Sequence, residues 1–168
     1  MAAAMVALAT TTLGSAASSV TFGSIPATYR DLRIVIWADM TSGAEQMRMR
    51  LNGDSTYSNY SGVGMAGQGT SAISATWSGS SGYGEGARVQ YQAFQQASTS
   101  AVVTTIDIFD YSTDKHKTSL VRASKAAGGV DGVATRWAST SAVTSVLLDM
   151  FSGSFTAGST FSLYGIVS

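Results

Sequence analysis

Apolar and polar positions alternate with a period of two along most of the chain. Leu32, Ile34 and Ile36 interleave with Arg33, Val35 and Trp37. Met47, Met49 and Leu51 interleave with Gln46, Arg48 and Arg50, and Val89, Tyr91 and Ala93 with Arg88, Gln90 and Gln92. Ile106 and Ile108 flank Asp107; Val146, Leu148 and Met150 alternate with Ser145, Leu147 and Asp149; Phe161 and Leu163 alternate with Ser162 and Tyr164. Each run predicts a strand with one row of side chains on a core and the other outward. The residue types agree, since Val, Ile, Thr and aromatics suit a pleated, half-buried surface.

Turn residues punctuate these runs. Asn52-Gly53-Asp54 closes one strand and supplies residues that tolerate positive φ. Pro26 lies between two strand-like runs, Gly128-Gly129 and Asp131-Gly132 break the chain before Val133, and Gly153 and Gly158 do so near the end. Many short strands with such spacing predict an all-β fold, an antiparallel jelly-roll-like sandwich, in one domain over 1–168. Ser42-Gly43-Ala44-Glu45 has the form of a helix capping box, but the alternation from Gln46 limits it to one turn. Met1 to Ala17 is apolar and small. It lacks the positive charge of a secretory leader, because no Lys or Arg precedes Arg30, so a β-strand is the preferred reading. No stretch reaches the ~18 apolar residues of a membrane-spanning helix.

The segment Asn59 to Gly86 differs: it is rich in Gly and Ser, with Tyr60, Met65, Trp77 and Tyr83 spaced through it. It does not alternate regularly throughout. It reads either as a long excursion between two sheets or as a loop that presents aromatics to a partner.

Charge and composition narrow the chemistry. Charged residues make up 12% of the 168, and ten Lys and Arg balance ten Asp and Glu. No bulk field draws nucleic acid or anionic lipid. A surface this weakly charged fits one covered by partners, and equally an ordinary weakly charged β protein. The absence of Cys removes disulfides, thiolate metal sites and Cys nucleophiles. His116 is the single histidine, so any Ser-His-Asp scheme must use it. It sits in the charged turn Thr113 to Lys117 and reads as a solvated side chain, and no Gly-x-Ser-x-Gly elbow presents a nucleophile. Asp107 and Asp110 fall on opposite faces of one strand, so they form no carboxylate pair. The Gly62-Val63-Gly64 and Gly82-Tyr83-Gly84 runs lack a Walker lysine and a following helix. No catalytic residue, metal ligand or cofactor is expected.

The candidate contacts with a partner are therefore Tyr60, Met65, Trp77 and Tyr83 in the glycine-rich segment, together with Arg48 and Arg50. The two arginines project from one strand face, with Arg33 expected nearby. They read either as a solvated face that blunts edge pairing or as a salt-bridging interface with a neighbouring subunit. Of the three tryptophans, Trp77 is the best placed to stack on a sugar, having Gly and Ser around it.

Several stretches taken in order resemble a group of small phage virion proteins with a jelly-roll-like fold. They are Thr12 to Phe22 with Ile25 to Tyr29 and Leu32; Leu51-Asn52-Gly53-Asp54 with Ser58-Asn59-Tyr60; Asp110-Tyr111-Ser112 with Lys117-Thr118; and Trp137 to Val146 with Gly158 to Ile166. The resemblance spans nearly the whole chain outside the glycine-rich middle. It implies a non-enzymatic structural part on the outer surface of a phage particle, either a capsid decoration (cement) protein bound to the major capsid protein or a tail-associated part. It also implies a homotrimer and no cofactor. The alternative is a tail-fibre or baseplate module that binds host-surface glycans. No nucleic acid and no membrane is expected as a partner.

Overall fold

The computed structural model describes residues 4–41, 46–78, 87–88, 101–125 and 129–167. They form a sandwich of two antiparallel sheets. The larger has eight strands in the order β1-β12-β3-β8-β9-β10-β5-β6. These are β1 (Met5–Thr12), β3 (Asp31–Ala38), β5 (Tyr60–Gln68), β6 (Ser71–Ser78), β8 (Val102–Phe109), β9 (Lys117–Lys125), β10 (Gly129–Trp137) and β12 (Thr160–Ile166). The smaller runs β2-β11-β4-β7, made of β2 (Ser19–Phe22), β4 (Met47–Leu51), β7 (Ala87–Arg88) and β11 (Val146–Met150). Early strands pair with late ones: β1 with β12, β2 with β11, and β5 with β10. The chain is thus one long hairpin wound across both sheets, which is the jelly-roll logic.

The alternation decides which face is core. Leu32, Ile34, Ile36, Ile106, Ile108, Val121, Phe161 and Leu163 of the large sheet meet Val20, Phe22, Met47, Met49, Leu51, Val146 and Leu148 of the small one, all buried. Burial of such side chains is the main stabilising contribution, about 1.5–3 kcal/mol for each large one. Phe155 and Phe161 meet edge to face, 4.9 Å between ring centroids, where the chain re-enters β12. The Tyr111 hydroxyl donates to the Pro26 carbonyl and accepts from the Tyr29 backbone N–H, fixing the β2–β3 connection to the loop after β8.

Several sequence expectations hold and several need correction. The first described strand covers Met5 to Thr12, within the stretch read as a strand. Asn52 and Gly53 take positive φ at the predicted turn, as do Gly153 and Gly158. The described part of the glycine-rich segment is not an excursion. Tyr60 to Ser78 is a β-hairpin, turning at Gly69 and Thr70. Its glycines make room rather than slack. A Cβ at Gly62 would lie 2.7 Å from the Trp77 ring and 2.8 Å from the Ala134 carbonyl oxygen, and one at Gly64 would lie 3.2 Å from the same ring. Asp131-Gly132 does not break the chain, because β10 runs through it. Lys117, placed by the sequence at the end of a charged turn, opens β9 and is buried. The capping-box residues Ser42 to Glu45 and the run from Val89 to Ala93 lie outside the described residues.

Candidate functional site

The outer face of the eight-stranded sheet is turned away from the small sheet. Strand register aligns its outward side chains in rows across the sheet. One row runs Thr12, Thr160, Trp37, Val103, Ser124 and Val130. The next holds Ser162, Val35, Thr105, Arg122, Gly132 and Met65. The third holds Tyr164, Arg33, Asp107, Leu120, Ala134 and Val63. Trp37 is 53% exposed, Val130 58% and Met65 66%, and Val63, Val103 and Leu120 are exposed beside them. These exposed apolar side chains make the face the candidate contact surface.

Its centre is charged and internally paired. The Arg33 Nε donates to Asp107 Oδ1 at 2.6 Å, and Arg122 Nη2 lies 3.4 Å from Asp107 Oδ2. The hydrogen bond to Asp107 holds the Arg33 pKa above its ordinary value. Two cations on one carboxylate leave this cluster with one net positive charge, set between the Trp37 end and the Met65 end. At the Met65 end an open, mostly apolar cleft of about 560 Å³ is lined by Met65, Gly67, Ala72, Ile73 and Val130, with Asp131 among its polar residues. At the Trp37 end hydroxyls dominate. Thr12 Oγ1 and Thr160 Oγ1 are 3.2 Å apart, and Thr10 Oγ1 and Ser162 Oγ are 3.1 Å apart.

Among the sequence candidates, Met65 is the one found openly exposed on this face. Tyr60 is instead core: it is 3% exposed, and its hydroxyl accepts from the Leu51 N–H at 3.1 Å and donates to the Asp54 carbonyl at 3.0 Å. Burial pushes its pKa up. It is buried because it opens β5 directly opposite Trp137 on the inward face. Trp77 is half-buried, packed against the core with its ring over Gly62 and Gly64, so it is not a loop aromatic held out for a sugar. Tyr83 lies outside the described residues.

Arg48 and Arg50 belong to the small sheet, and Arg33 to the large one, so the three do not share a face. Arg48 Nη2 bonds Asp149 Oδ2 at 2.6 Å, and Arg50 Nη2 lies 3.3 Å from the same oxygen. The Arg48 guanidinium also sits 5.3 Å from the centroid of the Phe151 ring. Both side chains are largely covered and committed within the chain. His116 is exposed just before β9. Among the described residues no three of His, Asp and Glu gather as a metal site.

Trp37 was weighed with the other two tryptophans and passed over in favour of Trp77. The signal was available: it shares parity with Arg33 and Val35, opposite to the core row Leu32, Ile34 and Ile36.

No family model and no curated protein matches the chain. Among solved structures it is similar to a galectin of Caenorhabditis elegans, at 9% identity over 95% of this chain and 96% of that one, with a TM-score of 0.37. It is also similar to the LG4-5 domains of the mouse laminin alpha1 chain, at 12% identity over 92% of this chain and 40% of that one, TM-score 0.34. A protein of unknown function from Shewanella oneidensis aligns at 12% identity over 98% of this chain and 76% of that one, TM-score 0.25. No ligand and no residue role is carried over from these likenesses.

Proposed function

We propose that this protein is a non-enzymatic structural component of a phage virion, a capsid decoration protein whose large-sheet outer face lies against the major capsid protein. The observation that carries the reading is that face: exposed Trp37, Val103, Val130, Val63 and Met65 around the Arg33–Asp107–Arg122 cluster. A desolvated aromatic anchor with a paired Arg is the composition of an interface centre. The ordered resemblance of the sequence to phage virion proteins supplies the kind of assembly. A repeating lattice makes modest individual contacts sufficient. The test is copy number per purified particle, by quantitative mass spectrometry against the major capsid protein. A number comparable with the capsid protein, or a simple fraction of it, supports decoration. Absence from the particle overturns the reading.

A second reading has its own observation. Trp37 stands open beside the hydroxyl row of Thr160 and Thr12, an aromatic platform edged by hydrogen-bonding groups. That arrangement suits stacking on a sugar ring, and it favours a tail-fibre or baseplate module for host glycans. A glycan array with wild type and Trp37→Ala separates the two readings: binding lost in the variant supports the glycan module, and no binding by either protein removes it.

A further inference from the structure

One long side of the sandwich is closed by the stretch Ala4 to Ile25, and this stretch forms the edge of both sheets. Strand β1 is the terminal strand of the large sheet and β2 that of the small one. Among the described residues β1 pairs with β12 alone and β2 with β11 alone. Their outward backbone N–H and C=O groups therefore present two strand-pairing edges, one above the other.

Such edges are usually blunted with charges, with proline or with short strands. Here none of the 22 residues from Ala4 to Ile25 is charged and none is proline. The eight residues of β1 are long for an edge, and they include the exposed Met5 and Ala9. The single irregularity is a bulge between Ala7 and Ala9. Beyond it Ala9 to Thr12 pairs regularly with β12, and Thr10 and Thr12 turn their hydroxyls inboard to Ser162 and Thr160.

We propose that this rim is an interface between two copies of the chain, in which β1 pairs antiparallel with β1 of a second copy across a two-fold axis near Thr10. Absence of charge means that no like charges meet at the axis. A strand that is its own partner needs only that its residues tolerate each other in reverse order. Ala9 facing Thr11 and Thr10 facing Thr10 meet that condition, since Thr–Thr pairs are favourable across strands. The two large sheets become one, and the β2 rims are brought side by side beneath it. This two-fold departs from the three-fold that the sequence resemblance implies, and it does not rest on the virion reading.

Because the chain has no Cys, single-cysteine variants give a clean test. The experiment combines mass measurement by light scattering, over about 1 to 100 µM, with mild oxidation of Thr10→Cys and Ala7→Cys. The expected result is a dimer of the wild-type chain and a disulfide-linked dimer of Thr10→Cys within the reach of directly opposed strands. Ala7→Cys, on the far side of the bulge, should cross-link at least tenfold more slowly. Ala9→Lys, at an exposed position, should weaken the dimer at least tenfold while leaving the circular dichroism spectrum unchanged. A monomer throughout the range, a trimer mass, or a dimer indifferent to Ala9→Lys and not captured by Thr10→Cys would overturn the proposal.

Discussion

Trp137 Nε1 donates to Asp54 Oδ2 at 2.6 Å, joining the end of β10 to the turn that follows β4. Asn59 Nδ2 donates to the same oxygen at 2.7 Å, and the Thr56 N–H to Oδ1 at 2.8 Å. One carboxylate thus holds the connection between the two sheets. Burial alone would raise its pKa, but the three donors outweigh burial and hold it at about 2. In the unfolded chain the group returns to 3.8. Its stabilisation is therefore complete above the unfolded value and is lost as pH falls from 3.8 through about 2. Asp54→Ala should cost about 2–3 kcal/mol at neutral pH, since it leaves the buried indole N–H without its acceptor. Thermal melts at pH 7 and near pH 2.5 check this: the gap between wild type and variant should shrink in acid.

A second buried polar group runs the opposite way. The Lys117 ammonium is enclosed, donating to the Thr113 carbonyl at 2.7 Å, to the Lys115 carbonyl, and to the Thr140 carbonyl at 3.5 Å. Desolvation lowers its pKa, partly offset by Asp114 and Asp110. The unfolded chain then holds this proton more tightly, so stability should rise with pH in the alkaline window just below the unfolded value of 10.5. Lys117→Met removes that rise. It should also cost about 2 kcal/mol at pH 7, because the turn carbonyls lose a charged donor. Denaturant titrations of both proteins at pH 7 and in the alkaline window read both effects.

The hairpin of β5 and β6 gives an ordered pair of substitutions. Gly62→Ala places a methyl 2.7 Å from the Trp77 ring and 2.8 Å from a backbone oxygen that cannot swing aside. Gly64→Ala meets side chains alone, the ring at 3.2 Å and Val133 Cγ2 at an ordinary 3.5 Å. Gly62→Ala should therefore destabilise by about 2–3 kcal/mol and Gly64→Ala by about 1 or less, within the range for overpacking. Adding Trp77→Ala should rescue Gly62→Ala in part only, since the Ala134 carbonyl remains. Equal costs for the two glycine variants would contradict this packing.

These glycines also show where the sequence could be read and where it could not. The rows Leu32-Ile34-Ile36 and Met47-Met49-Leu51 were legible because one face of each strand must be apolar. Parity alone then places Arg33, Val35 and Trp37 outward. The hairpin was not legible. Gly62, Gly64 and Gly67 erase the alternation that marks a strand, and the reason for the first two, the Trp77 ring, lies on the neighbouring strand. Tyr60 was misplaced for a related reason: it looks exposed by its neighbours in sequence, but it is buried and bonds Leu51 and Asp54 around the turn after β4. The pairing of Arg48 and Arg50 with Asp149 likewise depends on register between β4 and β11, which local sequence does not state.

The outer face yields the prediction that separates binding from stability. Trp37 is exposed and lies on the outward row of β3, so Trp37→Ser should change folding stability by no more than about 0.5 kcal/mol. If the face is an interface, the same substitution removes a central aromatic anchor, and truncations of that kind cost about 2 kcal/mol or more of binding. Asp107→Asn should behave differently. It leaves Arg33 and Arg122 without their shared carboxylate and costs about 1 kcal/mol of stability, since both arginines retain access to water. Its effect on binding should depend on salt, because two uncompensated cations then face the partner. Melting temperatures together with retention of each variant on purified particles decide the matter. Trp37→Ser that stays folded and stays bound would leave the outer face without a function.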